Sequence, residues 1–371
     1  MRIALLGTRG IPAAYGGYET FAEELSSRLV ERGHHVTVYC RQRYHAPSYR
    51  GVQLVSLPTI RNKYLDTLAH SALSTFHLLT RRYDAVLYCN AANAIFTLLP
   101  RLAGMPTALN VDGIERLRKK WNGPARAWYH LSEFLATKFP TVIVTDARRI
   151  AEYYLQQYNT PSVCIPYGAP IERVQATRAL EQLGVQPGNY WLYVTRFEPE
   201  NNPLLVRQCF EQVDTSRHLV LVGDAPYAAA YIAAIRDTNN PRIHIPGAIY
   251  GNGYHELQSH AFGYIHATEV GGTHPALIEA MGKGNLVLYL NTPENAEVAG
   301  EAGIPFEKDT LRQTIAAASC LSAEELHRYR HAARERVRRL YSWEAVTQLY
   351  EDLFFKLHRR ENPLTVQWNP A

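Results

Sequence analysis

The feature that most limits what this chain can fold into is an alternation that starts at its first residue. Short aliphatic and β-branched runs alternate with helix-length segments, the pattern of parallel sheets whose crossovers are helices. In the first half, strands are predicted at 2–6, 35–40, 52–57, 85–89, 107–111 and 141–144, with helices near 18–32, 66–82, 92–103, 125–138 and 147–157. The segment 162–166 ends this half, and Tyr167-Gly168-Ala169-Pro170 reads as a connection. The pattern restarts with strands at 190–194, 219–222, 243–245, 263–266 and 286–289, and helices near 203–213, 227–238, 253–260, 275–283 and 310–317. A polar helical run, 323–340, precedes Ser342-Trp343-Glu344 and an amphipathic stretch to about 357; the tail 361–371 is expected to be poorly ordered. Because the Pro/Gly-bearing joint falls near the middle, two doubly wound α/β domains fit better than one large sheet. The expected division is 1–167, 168–340 and a closing helix with tail at 341–371.

Composition narrows the function classes. With 371 residues, 46% hydrophobic and 20% charged, the chain is neither disordered nor fibrous. Cys40, Cys89, Cys164, Cys209 and Cys320 are odd in number, scattered and without a CxxC pair, so they read as reduced, mostly buried thiols of a cytoplasmic protein. Glycines and a proline within the first twelve residues interrupt any signal-peptide apolar region, and no long apolar run spans a membrane. The net charge of +5 is uneven: residues 1–165 carry 20 Lys+Arg against 11 Asp+Glu. That basic half invites an anionic surface, yet no helix-turn-helix, RNP-like or zinc-finger signature points to nucleic acid.

Three loops carry candidate chemistry. The first strand runs into Gly7-Thr8-Arg9-Gly10-Ile11-Pro12-Ala13-Ala14-Tyr15-Gly16-Gly17-Tyr18-Glu19-Thr20. A glycine-rich loop between strand and helix lets backbone amides approach a phosphate, although Gly16-Gly17 also suits a tight turn. The spacing is not GxGxxG and no acid ends the second strand, which disfavours a nicotinamide dehydrogenase. In Thr268-Glu269-Val270-Gly271-Gly272-Thr273-His274-Pro275-Ala276-Leu277-Ile278-Glu279, glycine amides and the Thr273 hydroxyl can meet an anion at a helix start. Glu279, one turn inside, can accept paired hydrogen bonds from vicinal hydroxyls such as a ribose, or simply favour the helix dipole. After the strand 190–194, Arg196 offers a fork to phosphate oxygens, or pairs with Glu198 or Glu200. All three loops follow strand C-termini, which places them in one expected interdomain cleft.

Together these residues resemble the retaining glycosyltransferases of family 4, over nearly the whole chain. Gly16-Gly17-Tyr18-Glu19 with Leu25, Leu29 and Gly33-His34-His35-Val36 is similar to the family's glycine loop and first helix. The segment from Ile165 to Pro170 matches its domain joint, and that from Tyr193 to Asn202 its Gly-Arg-x-x-x-x-Lys loop. Leu277-Ile278-Glu279-Ala280-Met281-Gly282 resembles its Leu-Glu-Ala-Met-Ala helix, and Ser342-Trp343-Glu344 the start of its closing helix. Gly7-Thr8-Arg9-Gly10-Ile11-Pro12-Ala13, Asn110-Val111-Asp112-Gly113-Ile114-Glu115 and Val270-Gly271-Gly272-Thr273 look like the rhamnosyltransferase-like branch, many of whose members build surface polysaccharides.

The resemblance implies a GT-B fold of two facing Rossmann-like domains, the first on the acceptor side and the second binding a nucleotide sugar. It implies transfer of a hexosyl group (rhamnosyl, glucosyl or galactosyl) to a glycan or lipid-linked acceptor with retention, by a front-face mechanism in which the departing phosphate takes the acceptor proton. Arg196, Glu269 and Asp112 are the expected catalytic residues; Asp112 as nucleophile or base is the alternative. Gly16, Gly17, Asn201, Gly271, Gly272, Thr273, His274 and Glu279 would bind the donor, and Glu115 and Glu19 would face the acceptor side. No Asp-x-Asp occurs, so the expectation is metal independence, with no cofactor beyond the donor itself. Three departures matter. Asn201 stands at the family's lysine, Glu269 lies two residues before the first acid of Glu-x7-Glu, and Asp112 replaces a histidine. Arg116-Leu117-Arg118-Lys119-Lys120-Trp121 and the apolar helix near 68–79 suggest peripheral contact with an anionic membrane, at its inner face for a cytoplasmic protein. Rival readings are a non-catalytic sugar-nucleotide or glycan-binding module and a GT-B-fold sugar-nucleotide epimerase.

Overall fold

Strand β1 (Arg2–Leu6) exposes only Arg2, and an aliphatic strand buried on both faces belongs inside a parallel sheet covered by helices on each side. The computed structural model describes residues 1–13, 17–60, 62, 65–114, 116, 123–225 and 229–368. The chain divides into two units, Met1–Gly168 with Trp343–Ala371, and Ala169–Ser342.

In the first unit β1 is followed by α1 (Gly17–Glu31), β2 (His35–Cys40), β3 (Ser48–Tyr49), β4 (Val52–Ser56), α2 (Asp66–Leu79) and β5 (Ala85–Cys89). A 3-10 segment (Ala91–Thr97), α3 (Leu98–Leu102), β6 (Thr107–Asn110), α4 (Gly123–Ala136), β7 (Val142–Thr145), α5 (Arg148–Tyr158) and β8 (Val163–Cys164) complete it up to the joint. The sheet order is β3-β4-β2-β1-β5-β6-β7-β8, parallel except for β3 against β4. The chain therefore reverses its direction of winding between β1 and β5, where a doubly wound sheet opens a crevice at its strand C-termini.

The second unit holds α6 (Arg178–Leu183), β9 (Tyr190–Val194), α7 (Pro203–Glu211), β10 (His218–Val222), α8 (Ala229–Arg236), β11 (Ile243–Gly247) and α9 (Gly251–His260). It continues with β12 (Gly263–His266), α10 (Pro275–Gly282), β13 (Leu286–Leu290), α11 (Pro293–Ala299), β14 (Gly303–Phe306), α12 (Leu311–Ser319) and α13 (Ala323–Leu340). Its parallel order, β11-β10-β9-β12-β13-β14, is again doubly wound, with the switch point between β9 and β12. Helix α13 begins at a capping box, in which Ser322 and Glu325 satisfy each other's backbone amides.

The last helix, α14 (Trp343–Arg359), belongs to the first unit. Its apolar stripe, Trp343, Val346, Tyr350, Leu353, Phe354 and Leu357, is buried, and Tyr350 meets Phe21 of α1 with ring centroids 5.3 Å apart. Each such side chain contributes about 1.5–3 kcal/mol on burial, so the stripe outweighs the half-exposed pairs that Arg28 and Arg32 make with Glu344. Gly168 makes room for this return: a Cβ there would lie 2.4 Å from the Trp343 ring.

The structure corrects four local expectations. The tail is packed as far as 368, with Val366 and Trp368 buried, because two apolar side chains sit among its polar neighbours. The helix expected at 92–103 is a 3-10 segment followed by one short α-helix, since Asn90 caps it tightly by accepting the Ala92 amide. The edge strands β3 and β14 and the helices α6 and α11 are too short to show a period in sequence. The five cysteines form no disulfide, but only Cys40 and Cys89 are buried, and Cys320 is exposed.

Candidate functional site

In the first unit the predicted residues gather at the C-terminal ends of β1, β5 and β6. Gly7, at φ +93°, lets the loop after β1 lie against β5, since a Cβ would sit 2.3 Å from the Cys89 carbonyl oxygen. Glu19 is buried and turned back on this loop, where Oε1 accepts the Arg9 amide at 2.9 Å; Glu23 accepts the Ala13 amide at 2.6 Å. Burial raises the Glu19 pKa, opposed by the Arg9 amide and the Arg9 and Arg41 charges. Two carboxylates of α1 thus hold loop amides, a role the sequence did not indicate for Glu19. Gly17 opens α1 and is exposed, whereas Gly16 lies outside the described residues.

Asp112 has left-handed backbone, φ +59°, which a short polar side chain tolerates. Its amide donates to Asn110 Oδ1 at 3.0 Å, and Tyr167 donates its hydroxyl to Asp112 Oδ1 at 3.2 Å. Burial, followed by the Asp112 charge, pushes the Tyr167 phenol well up, so it stays a donor. Asn110 is held in turn by its Nδ2 donating to Tyr350 of α14 at 2.9 Å. Burial raises the Cys89 thiol, and the next two causes are the charges of Glu19 and Asp112. Glu115 lies outside the described residues, as do 117–122. Arg116 is not offered to a surface: it donates to Glu133 Oε2 at 3.1 Å and to the Tyr153 hydroxyl at 2.8 Å.

In the second unit the loops after β9 and β12 are bonded to each other. The Arg196 guanidinium is 45% exposed and 3.9 Å from the Glu198 carboxylate, a loose pair that leaves it able to meet an anion. Asn201, expected to bind donor, is buried and spends its amide on the Arg196 carbonyl at 2.7 Å, so it shapes the loop that presents the arginine. Asn202 bridges to the second loop, donating to the Ala267 carbonyl and to Glu269 Oε1, both at 2.8 Å. The Glu269 amide donates to the Glu200 carbonyl at 2.9 Å. The same Glu269 oxygen pairs with Lys308, a cation from the loop after β14 that the sequence reading missed; its place past an unrecognised edge strand gave no signal.

Gly271 allows the glycine loop to close on His274, because a Cβ would stand 2.3 Å from the imidazole. His274 precedes α10 as its cap residue, Pro275 takes the first helical position, and Gly272 and Thr273 are buried beside them. Beneath lies His266, its ring centroid 4.7 Å from that of His274. Burial drives the His266 pKa well down, helped by the His274 charge, so it packs as a neutral ring. Glu279 is buried in α10, and its Oε2 accepts a hydrogen bond from the hydroxyl of Tyr254 on α9. Among the described residues no group of three or more His, Cys, Asp or Glu could hold a metal ion. No described helix is long and apolar enough to cross a membrane.

The family model described as Glycosyltransferase Family 4 matches residues 15–173. No curated protein matches the chain in sequence. Among solved structures, sucrose-phosphate synthase from Thermosynechococcus elongatus is similar at a TM-score of 0.79 and 19% identity, covering 97% of this chain and 100% of that one. HepE from Anabaena, in complex with UDP-glucose, gives 0.76 and 14% over 96% and 100%. WaaG, a glycosyltransferase involved in lipopolysaccharide biosynthesis, gives 0.72 and 17% over 95% and 99%. At these identities the likeness establishes the fold, the pair of Rossmann-like parallel-sheet domains of GT-B glycosyltransferases.

Proposed function

We propose that this protein is a retaining family 4 glycosyltransferase that moves a rhamnosyl, glucosyl or galactosyl group from a nucleotide diphosphate sugar to a glycan or lipid-linked acceptor in surface polysaccharide synthesis. One observation carries the reading: at the switch point between β9 and β12, a half-exposed Arg196 stands on a loop bonded, through Asn202 and Glu269, to the glycine loop that opens α10. A cation beside a helix N-terminus suits a diphosphate leaving group. The family match over 15–173 and the UDP-glucose complex of HepE support the same donor class.

In the proposed reaction the bond from the anomeric carbon to the diphosphate oxygen breaks while the acceptor oxygen bonds to that carbon on the same face. The acceptor proton passes to the departing phosphate. Arg196 and the amides of Gly271–Thr273 stabilise the growing charge, Glu279 grips the nucleoside sugar, and Glu269 with its Lys308 and Asn202 partners orders the sugar side of the loop. Asp112, aimed by Tyr167, acts on the acceptor side. The test is calorimetry with UDP, dTDP, GDP and ADP sugars in chelator-treated buffer. One donor is expected to bind without added metal and to yield a glycoside with an acceptor. Silence across all four donors overturns the reading; binding without transfer across an acceptor panel favours the non-catalytic module.

The acceptor is proposed to be reached at an anionic bilayer surface. Leu73 and Phe76 of α2, Leu99 and Leu102 of α3, and Leu131 and Phe134 of α4 are exposed. Arg101, Arg126 and Lys138 are exposed among them, whereas the acids of these helices are withdrawn: Glu133 is buried and Asp66 pairs with Arg41 at 2.7 Å. Helices α2 and α4 both pack on the 3-10 segment between them and α3 packs on α2, so these exposed apolar and basic residues belong to neighbouring helices. The protein is expected to pellet with anionic but not neutral vesicles at low salt, and the Phe76→Asp/Phe134→Asp variant to stay in the supernatant. Pelleting undiminished in that variant would dismiss this face.

A further inference from the structure

The end of the second unit's sheet opposite the glycine loop carries a concentration of positive charge that the proposed reaction does not use. Strands β12 and β13 start at that end, at Gly263 and Leu286. Four cations gather there about the segment 171–174. Lys283, the cap residue that ends α10, donates to the Glu172 carbonyl, and Arg334 of α13 donates to the Ile171 carbonyl at 3.0 Å. Arg173 donates to the Ser259 carbonyl, and Arg330, one turn before Arg334 on the same face of α13, donates to the Phe262 carbonyl at 2.7 Å. Gly282 lets the end of α10 lie against the segment, since a Cβ there would stand 2.5 Å from the Pro170 carbonyl oxygen.

Among the described residues none of these four is ion-paired with a carboxylate, and the carbonyls that satisfy their N–H groups cancel no charge. The cations act on one another. Burial lowers the Arg173 pKa and the Arg334 charge lowers it further, while Arg330 is lowered by burial and then by Arg173 and Arg217. Burial is also the largest effect on Lys283; the charges of Glu172 and Glu279 oppose it, and those of Arg334 and Arg173 add to it. Each arginine reaches its carbonyl through Nη2, so the rest of the guanidinium fork is left for another acceptor. The Nε of Arg334 is buried with no partner, and Lys283 is 4% exposed. The positive field therefore centres beneath the surface, where it suits a compact multivalent anion better than the broad acidic face of a protein.

We propose that Arg173, Lys283, Arg330 and Arg334 form an anion site, separate from the donor loops, that takes the phosphoryl group of a small soluble molecule. Guanidinium forks are matched to phosphoryl oxygens, and Lys283 adds its charge from below. The bound dianion offsets the repulsion among the four cations.

Pyrophosphate is the probe, with chloride at matched ionic strength as the control. Because pyrophosphate also suits the Arg196 loop, calorimetry is run on Arg196→Ala, which is expected to bind it still. Adding Arg330→Gln and Arg334→Gln, which keep an N–H donor at each position and remove the charge, is expected to weaken that binding by at least about tenfold, the worth of one hydrogen bond to a charged group. No binding by folded Arg196→Ala overturns the proposal, as does undiminished binding after the two further substitutions. Should those substitutions prevent folding, the wild type still decides. Pyrophosphate, but not chloride, is expected to shield Arg173, Arg330 and Arg334 from phenylglyoxal, read by peptide mass mapping, and equal modification with and without pyrophosphate overturns the site.

Discussion

Arg196→Ala is expected to remove tight donor binding and to lower turnover by about 10²–10³-fold, the usual loss when one preorganised donor to a developing negative charge is deleted. The folded state should be untouched. The side chain is 45% exposed, and its ion-pair contact to Glu198, the single one among the described residues, is long at 3.9 Å. The backbone carbonyl that Asn201 holds survives the substitution, so the loop keeps its shape. Stability should therefore change by less than about 0.5 kcal/mol, as for surface positions generally. Calorimetry with the identified donor, beside a denaturation curve, checks both halves. Undiminished binding would take the diphosphate away from this loop.

Asp112→Asn is expected to show the opposite split: donor affinity unchanged and turnover lowered by about 10–10²-fold, the worth of one hydrogen bond from the acceptor to a charged group. Asparagine accepts the left-handed backbone that Asp112 adopts, and its carbonyl oxygen can still take the Tyr167 hydroxyl. What is lost is the charge. A fall in affinity for donor would move Asp112 to the donor side, and undiminished turnover would take Asp112 away from the acceptor. Both results are readable because the substitution removes no packing.

Much of the fold was legible because parallel strands covered on both faces must be near-continuous aliphatic runs. Arg2–Leu6, Ala85–Cys89 and Leu286–Leu290 could hardly be anything else. The loop positions were legible for the same reason: once the strands are known, Gly7, Arg196 and Gly271 fall at their C-terminal ends. Elements of two to seven residues, such as β3, β14 and α11, escaped because no period can establish itself in so few positions. The partner of Glu269 escaped with β14, since Lys308 follows that strand.

The sequence by itself determined two doubly wound sheets and the loops that would carry chemistry, since both follow from local hydrophobic period and glycine placement. Only the tertiary structure decided what each carboxylate is attached to. Glu19 holds the Arg9 amide, Asp112 takes the hydroxyl of Tyr167, Glu269 takes Lys308, and Glu279 takes Tyr254. Three of those partners lie 55, 39 and 25 residues away along the chain, beyond any helical or strand period. A carboxylate's availability is set by burial and by which donor the fold brings to it, and neither is written in its own neighbourhood of the sequence.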